Sequence, residues 1–166
     1  MASLANVKIG ICSVTYKGVD LGHTKGSVKF SYKPSYEDIA VNQFCKSATD
    51  KVLTQEVVEV KVPLAETQVV NIAKMIPTTS GNTASLSKFG NEAGARLSVY
   101  AGELLLHPTA VTGTGEDVAL YKAVISGDVE LEYAVDGQRV VEVTFSALID
   151  STKTNGNLFG HFGTLS

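Results

Sequence analysis

The chain has 166 residues, 44% of them hydrophobic, and a net charge of −3 at pH 7. This length suits one domain with a sizeable core, and the apolar content excludes a disordered chain. Arginine occurs only twice, at Arg96 and Arg139, whereas a basic nucleic-acid-binding domain clusters arginine and lysine on one surface.

No apolar run approaches the roughly 20 residues of a membrane-spanning helix, and the N-terminal residues lack the apolar core of a signal peptide. The sequence therefore predicts a protein that stays in the cytoplasm and has no membrane partner. Cys12 and Cys45 lie far apart without metal-ligand spacing, and the three histidines form no metal-binding pair. We expect no metal, no cofactor and two reduced thiols; a disulfide between subunits is the alternative.

Alternating or β-branched segments predict strands through the first half of the chain. They cover residues 6–16, 27–33, 36–44 and 57–62. An apolar stripe at helical spacing follows them, and its members are Ala65, Val69, Ile72, Ala73 and Ile76. This stripe predicts one helix at about 64–76, because Pro77 then disfavours helical geometry for the residue before it.

The second half begins with a polar segment at 78–94 that contains three glycines. A loop of this length inside a compact domain is usually functional or mobile. Strand patterns resume at 95–107 and 117–126, and a hairpin follows whose two strands lie within 128–147. The order of elements predicts a mainly β, antiparallel protein.

A C-terminal tail is predicted at 151–166, after a single domain at 1–150. The tail is rich in small and polar residues but contains Leu158, Phe159 and Phe162. Apolar residues in such a tail often dock on a surface, which here is either the chain's own core or a neighbouring copy.

Charge is distributed unusually in the predicted hairpin. Burying one face of both strands requires a three-residue loop, which pairs Leu131 with Val141. The same register sets Glu130 opposite Glu142, although like charges directly opposite each other destabilise a sheet. The acids on the open face are Asp128, Glu130, Glu132 and Glu142. On the pattern alone, the simplest interpretation is a solvated face.

The sequence shows no catalytic constellation, and we predict that the protein is not an enzyme. Cys45 lacks the local signature of a nucleophile, and the glycine-bearing loops do not match phosphate-binding motifs. The pair of Glu130 and Glu142 is the one enzymatic candidate, as the two carboxylates of a glycosidase. The chain has no tryptophan to form a sugar-binding platform.

A series of different short motifs extends along most of the chain. The first half contains "GVDLGHTKGSVKF", "VNQFCKSATD" and "VVEVKVPLAETQVVNIAKMIP", and the second contains "LLLHP", "DVALYKA", "VEVTFSALID" and "GNLFGHFG". Together they resemble the tail tube (major tail) proteins of long-tailed bacteriophages. Three positions depart from the family pattern: Cys45 and Gln55 replace glycines, and Asn42 replaces aspartate.

The resemblance implies an antiparallel β-sandwich flanked by one helix. It implies that six copies close into a ring through an inner β-barrel, and that the rings stack into a hollow tube that conducts phage DNA to the host. The protein would be a structural virion protein, assembled in the host cytoplasm and located in the phage tail. Its partners would be itself and other tail proteins, with double-stranded DNA passing through without specific binding.

In such a tube, the four acids of the hairpin would line the lumen. Carboxylates repel phosphates, whereas lysines and arginines bind them, so an acidic lumen would give the like-charge face a purpose. Two other functions stay open from the sequence. One is a related ring protein, such as a tail terminator or a type VI secretion tube, and the other is a monomeric β-sandwich binding module.

Overall fold

The structure is a computed structural model, and the residues that it describes are 10–40, 48–66, 68–76, 83, 85–90, 93–131, 137, 139–153 and 158–164. These residues contain one sheet of nine strands, in which every pairing is antiparallel. The predicted mainly β, antiparallel class is thus confirmed. None of the helices in these ranges is long and apolar enough to cross a membrane.

The strands are β1 (Cys12–Tyr16), β2 (Val19–Asp20), β3 (Lys29–Ala40), β4 (Ala48–Leu64), β5 (Gly102–Pro108), β6 (Val118–Ile125), β7 (Glu130–Leu131), β8 (Val141–Ala147) and β9 (Gly160–Phe162). One α-helix, α1, spans Val69–Met75, and a short 3-10 helix spans Leu97–Val99. The strand order in the sheet is β2-β1-β5-β6-β8-β4-β3, with β7 beside β8 and β9 beside β6.

The core lies on one side of β8 and extends over its neighbours. Its largest fully buried side chains are Val14, Leu21, Val60, Val62, Leu64, Met75, Leu104, Val141, Val143 and Phe145. The ring of Tyr16 packs against Phe145 with centroids 5.1 Å apart. The Tyr16 hydroxyl donates to the backbone carbonyls of Tyr100 and Ala123. Burial raises the pKa of Tyr16 to about 12, so this hydroxyl keeps its proton at physiological pH.

The helix is shorter than the predicted 64–76. Leu64 pairs with Val141 at the end of β4, and the amide of Ala65 donates to the His23 carbonyl at 2.8 Å. Because these pairings hold the chain extended, α1 begins only at Val69. The buried side chains of α1 include Asn71, Ala73 and Met75, so the predicted stripe is confirmed as buried at Ala73 alone.

The strand predicted at 95–107 begins only at Gly102. The residues Leu97–Val99 form the 3-10 helix instead, and the amide of Tyr100 donates to the Leu97 carbonyl at 3.0 Å. Val99 is 76% exposed. The apolar residues of Leu97–Val99 therefore fit the alternation of a strand in the sequence, but none of them is buried in the structure.

The strands β3 and β4 are longer than the predicted segments. The separate strands expected at 27–33 and 36–44 are one continuous strand from Lys29 to Ala40, and residues 41–44 lie outside the described residues. β4 begins at Ala48 rather than at 57. Only residues 59–64 of β4 pair with β8. The remaining pairs, at 32–40 and 48–58, form a two-stranded ribbon that we call the arm. The arm continues past the last pair with β8, and its residues 53–56 line a pocket with Ile149, Leu158 and Phe159.

The predicted tail contributes a strand to the domain. β9 pairs with β6, and the amide of Tyr121 donates to the carbonyl of Phe159 at 3.0 Å. Phe159 packs against the core, Leu158 is partly buried, and Phe162 is 72% exposed. Of the two docking surfaces expected for the tail, Phe159 therefore uses the chain's own core.

Asp150 holds the chain between β8 and β9. Its carboxylate accepts hydrogen bonds from Lys122 Nζ at 2.9 Å and from Thr152 Oγ1 at 2.8 Å. Its backbone amide donates to the Leu158 carbonyl at 2.9 Å. The bond from Lys122, followed by those from Thr152, lowers the pKa of Asp150 from 3.8 to about 2.

This lowered pKa predicts a pH dependence of stability. A carboxyl group whose pKa is lower in the folded state stabilises the fold above its unfolded pKa and loses this contribution as the pH falls through its folded pKa. The contribution of Asp150 should therefore be complete above about pH 4 and disappear towards about pH 2. In urea denaturation curves, we expect Asp150→Asn to be less stable than the wild type at neutral pH, with a difference that shrinks over this window. A difference that stays constant would contradict the assignment.

Candidate functional site

The predicted register of the acidic hairpin is confirmed where the structure describes it. β7 and β8 pair Glu130 with Glu142, and they pair Leu131 with Val141. Both glutamates are exposed, whereas Val141 is 1% exposed and belongs to the core. Two carboxylates therefore face each other on the open side of the sheet, as the burial of the other side requires.

The other two predicted acids differ in how far the structure describes them. Asp128 is exposed just before β7, and Glu132 lies outside the described residues. The chain reaches β7 by a close approach to β8, where the amide of Ser126 donates to the Thr144 carbonyl at 3.2 Å. A Cβ added at Gly127 would lie 2.8 Å from the Thr144 Cβ, so glycine permits this approach.

Lysines lie on the same side of the sheet, on the neighbouring strands. In the pairing of β8 with β4, Glu142 is opposite Pro63 and Thr144 is opposite Lys61. Lys61 is in turn opposite Lys29 on β3. Because directly opposite residues share a face, this face carries carboxylates at β7 and β8, and on β4 and β3 it carries Lys29, Lys61 and the ion pair of Lys33 with Glu59.

Two of the motifs that carry the family resemblance are in contact. The Glu66 Oε1 accepts a hydrogen bond from the amide of His23 at 3.1 Å, and Asp20 Oδ1 accepts one from the amide of Gly22 at 2.9 Å. Gly22 has a φ of +85°, and a Cβ added there would lie 2.3 Å from the Glu66 Cδ. Leu21, inside this turn, is fully buried. Glu66 and Gly22 thus fix the turn that inserts Leu21 into the core.

A histidine and a carboxylate form a pair that sequence reasoning missed. His107 Nδ1 lies 2.6 Å from Asp117 Oδ1, and the Asp117 side chain is 5% exposed. Leu106 pairs with Val118 in the hairpin of β5 and β6, so the next residue on each strand meets the other. The register between the strands predicted at 95–107 and 117–126 would have indicated this contact. Ser13 lies opposite His107 on β1, but its hydroxyl donates to the His107 backbone carbonyl.

The arm exposes apolar side chains on the face that continues the core. Within the body, this face of β4 includes Val58 and Val60, which are 4% and 0% exposed. Further along, the same face carries Tyr36 and Leu53, which pair with each other and are 59% and 44% exposed. Tyr32, opposite Val58, is 47% exposed. Leu53 also lines a pocket with Ile149 and Leu158, and the ion pair of Lys51 with Asp38 follows on the same face. The arm therefore leaves Tyr36 and Leu53 half exposed between the body and a charged pair.

Comparisons with known proteins do not assign these features to a family. A scan against protein-family models found no match, and a search of curated proteins found no significant similarity. In the part of the chain that the structure describes, no group of three or more histidine, cysteine, aspartate and glutamate side chains could hold a metal ion. The candidate functional features are therefore the acidic hairpin and the arm.

Proposed function

We propose that this protein is a structural virion protein, the subunit of the tail tube of a long-tailed bacteriophage. Copies form hexameric rings through an inner β-barrel, and the rings stack into a hollow tube that conducts DNA to the host. The sandwich arrangement and the flanking helix expected from the resemblance belong to this proposal. The observation that carries it is the arm, because Tyr36 and Leu53 stay half exposed on the face that continues the core.

The arm is poorly suited to exist alone in water. An isolated two-stranded ribbon is marginally stable at best and needs a further strand or layer over its apolar face. Tyr36 and Leu53 would lose their contact with water if a second copy packed on this face, which is the favourable direction for apolar surface. Self-assembly therefore explains why the hairpin continues past the body.

The ends of the sheet support assembly as well. β2 and β3 are the two ends of the strand order, so each has one edge without a neighbouring strand in the described part of the chain. Unpaired edges pair readily with other chains. A head-to-tail contact between two different surfaces closes into a ring when the rotation permits, and a closed barrel would leave no free edge.

The acidic hairpin supplies the expected lumen surface. In this proposal, Asp128, Glu130, Glu132 and Glu142 line the inner wall of the tube. Ring closure would repeat these carboxylates around the axis and repel the phosphates of passing DNA.

Electron cryo-microscopy of the assembled protein tests this function. We expect hollow tubes of stacked six-fold rings with Glu130 and Glu142 on the inner wall. Replacing both with lysine should leave the tubes intact, because one like-charge pair replaces another. DNA entry into the host from phage that carry this variant should slow by about tenfold, because each ring then offers cations to the phosphates.

Glu103→Lys with Glu116→Lys is the matched control, because it makes the same two charge changes at exposed acids outside the hairpin. It should slow DNA entry less than the lumen variant does. Glutamates on the outer surface of the tube would refute the lumen assignment, as would unchanged DNA delivery. Rings that never stack would favour a tail terminator, and a strict monomer would favour a binding module.

A further inference from the structure

An apolar pocket of about 130 Å³ opens between β6, β9 and the base of the arm. Val58 and Ala119 belong to its walls and are buried in the core. Phe30 and Phe162 stand at its rim, and their rings meet edge to face with centroids 5.3 Å apart. Phe162 is 72% exposed, so the rim is an aromatic surface that water reaches.

The size and lining of this pocket suit one aromatic ring. An enclosed apolar cavity of about 150 Å³ in another protein accepts benzene. The exposed aromatic residues of the described chain are Phe30, Tyr32, Tyr36, Phe89 and Phe162. Phe30, Tyr32 and Phe162 already line the pocket, and Tyr36 lies on the arm. Phe89, which is 74% exposed, is the one that lies on a separate segment.

The charge beside the Phe89 ring is opposite in sign to the charge beside the pocket. Lys88 is exposed next to Phe89. Beside the pocket, Glu56 is exposed. Its Oε1 accepts a hydrogen bond from the hydroxyl of Tyr32, which lines the pocket. A ring inserted at this point would therefore bring a lysine towards a carboxylate, which helps to set the orientation of the partner.

We propose that Phe89 of one copy inserts into the apolar pocket of a second copy, with Lys88 beside Glu56. This inference rests on the proposed self-assembly and names a contact that carries it. The two surfaces are different, so every copy offers one ring and one pocket. Such a contact continues from copy to copy and either closes a ring or extends a stack. It also gives the polar segment at 78–94 a defined role.

Site-specific photo-crosslinking tests the contact directly. Phe89 is replaced by p-azidophenylalanine, the full-length protein is assembled and irradiated, and the crosslinked peptides are identified by mass spectrometry. We expect adducts between copies that join position 89 to residues 118–120 or 159–162. The same probe at Val99, which is 76% exposed, is the control and should not reach the pocket.

Alanine variants provide the second measurement. Burial of a phenylalanine ring favours association, so Phe89→Ala should raise the critical concentration for assembly by about ten- to a hundredfold in light scattering. Val99→Ala should leave it unchanged. Assemblies that form normally with Phe89→Ala, or that crosslink elsewhere, would overturn this contact and leave the proposed function standing. A wild-type protein that stays monomeric at every concentration would overturn both.

Discussion

Replacing Gly22 with alanine is expected to destabilise the fold by about 2–4 kcal/mol. The φ of +85° at this position is the left-handed region, which costs about 1–2 kcal/mol for a residue with a Cβ. The added Cβ would also occupy the place of the Glu66 carboxylate, 2.3 Å from its Cδ. Glu66 would have to move and release the amide of His23. The free energy of unfolding from urea denaturation measures the effect.

Gly18→Ala is the matched control for this prediction. Gly18 has a φ of +74°, but no atom lies within 4 Å of an added Cβ, so only the backbone cost of about 1–2 kcal/mol should remain. In a Glu66→Ala background, Gly22→Ala should fall to the same cost. Equal effects of the two glycine variants in the wild-type background would show that the Glu66 contact contributes nothing.

Loss of assembly without loss of the fold is the expected result of placing a charge on the apolar face of the arm. Tyr36→Glu with Leu53→Glu would put two carboxylates where we propose that a second copy packs. Burying an unpaired charge costs several kcal/mol, so the critical concentration for assembly should rise by more than about a hundredfold. Both side chains are about half exposed in the single chain. Because Tyr36 pairs with Leu53, the two like charges should lower its thermal stability by no more than about 1 kcal/mol, and the chain should stay folded.

Ser35→Glu is the control for the arm, because Ser35 is exposed on the opposite face of β3, directly beside Tyr36. It adds a charge to the same ribbon but not to the proposed contact, and assembly should continue. Sedimentation velocity measures the fraction assembled for each variant. Normal assembly of the double glutamate variant would rule out the arm face as a contact between copies.

The hairpin of β7 and β8 shows how much a local pattern can predict. Its alternation left one register that buries a single face, and the structure has that register, with Glu130 opposite Glu142. The buried alternation at Val141, Val143 and Phe145 agrees as well. Such a pattern is reliable because the period of a strand is two, so a shift by one residue would place every apolar side chain in water.

The helix and the arm show where the local pattern was insufficient. Leu64 and Ala65 fit a helical stripe, but pairings with Val141 and His23 hold them extended. The arm lacks clean alternation, because register shifts occur after Ser35 and after Ile39. The residues skipped at these shifts, Thr54 and Thr49, lie on β4, so the bulges interrupt the alternation of that strand. On β3 no residue is skipped, and the two predicted strands were separate because Pro34 lies between them.

By itself, the sequence determined the mainly β class, the inward faces of the strands and the acidic side of the hairpin, because each depends on residues that are neighbours in the chain. Only the tertiary structure decided that Glu66 closes the turn at Gly22, that the base of the arm forms a pocket with Phe162, and that Tyr36 and Leu53 stay half exposed on the arm. These features join residues far apart in the chain, and their geometry depends on where the strands pair and where that pairing ends.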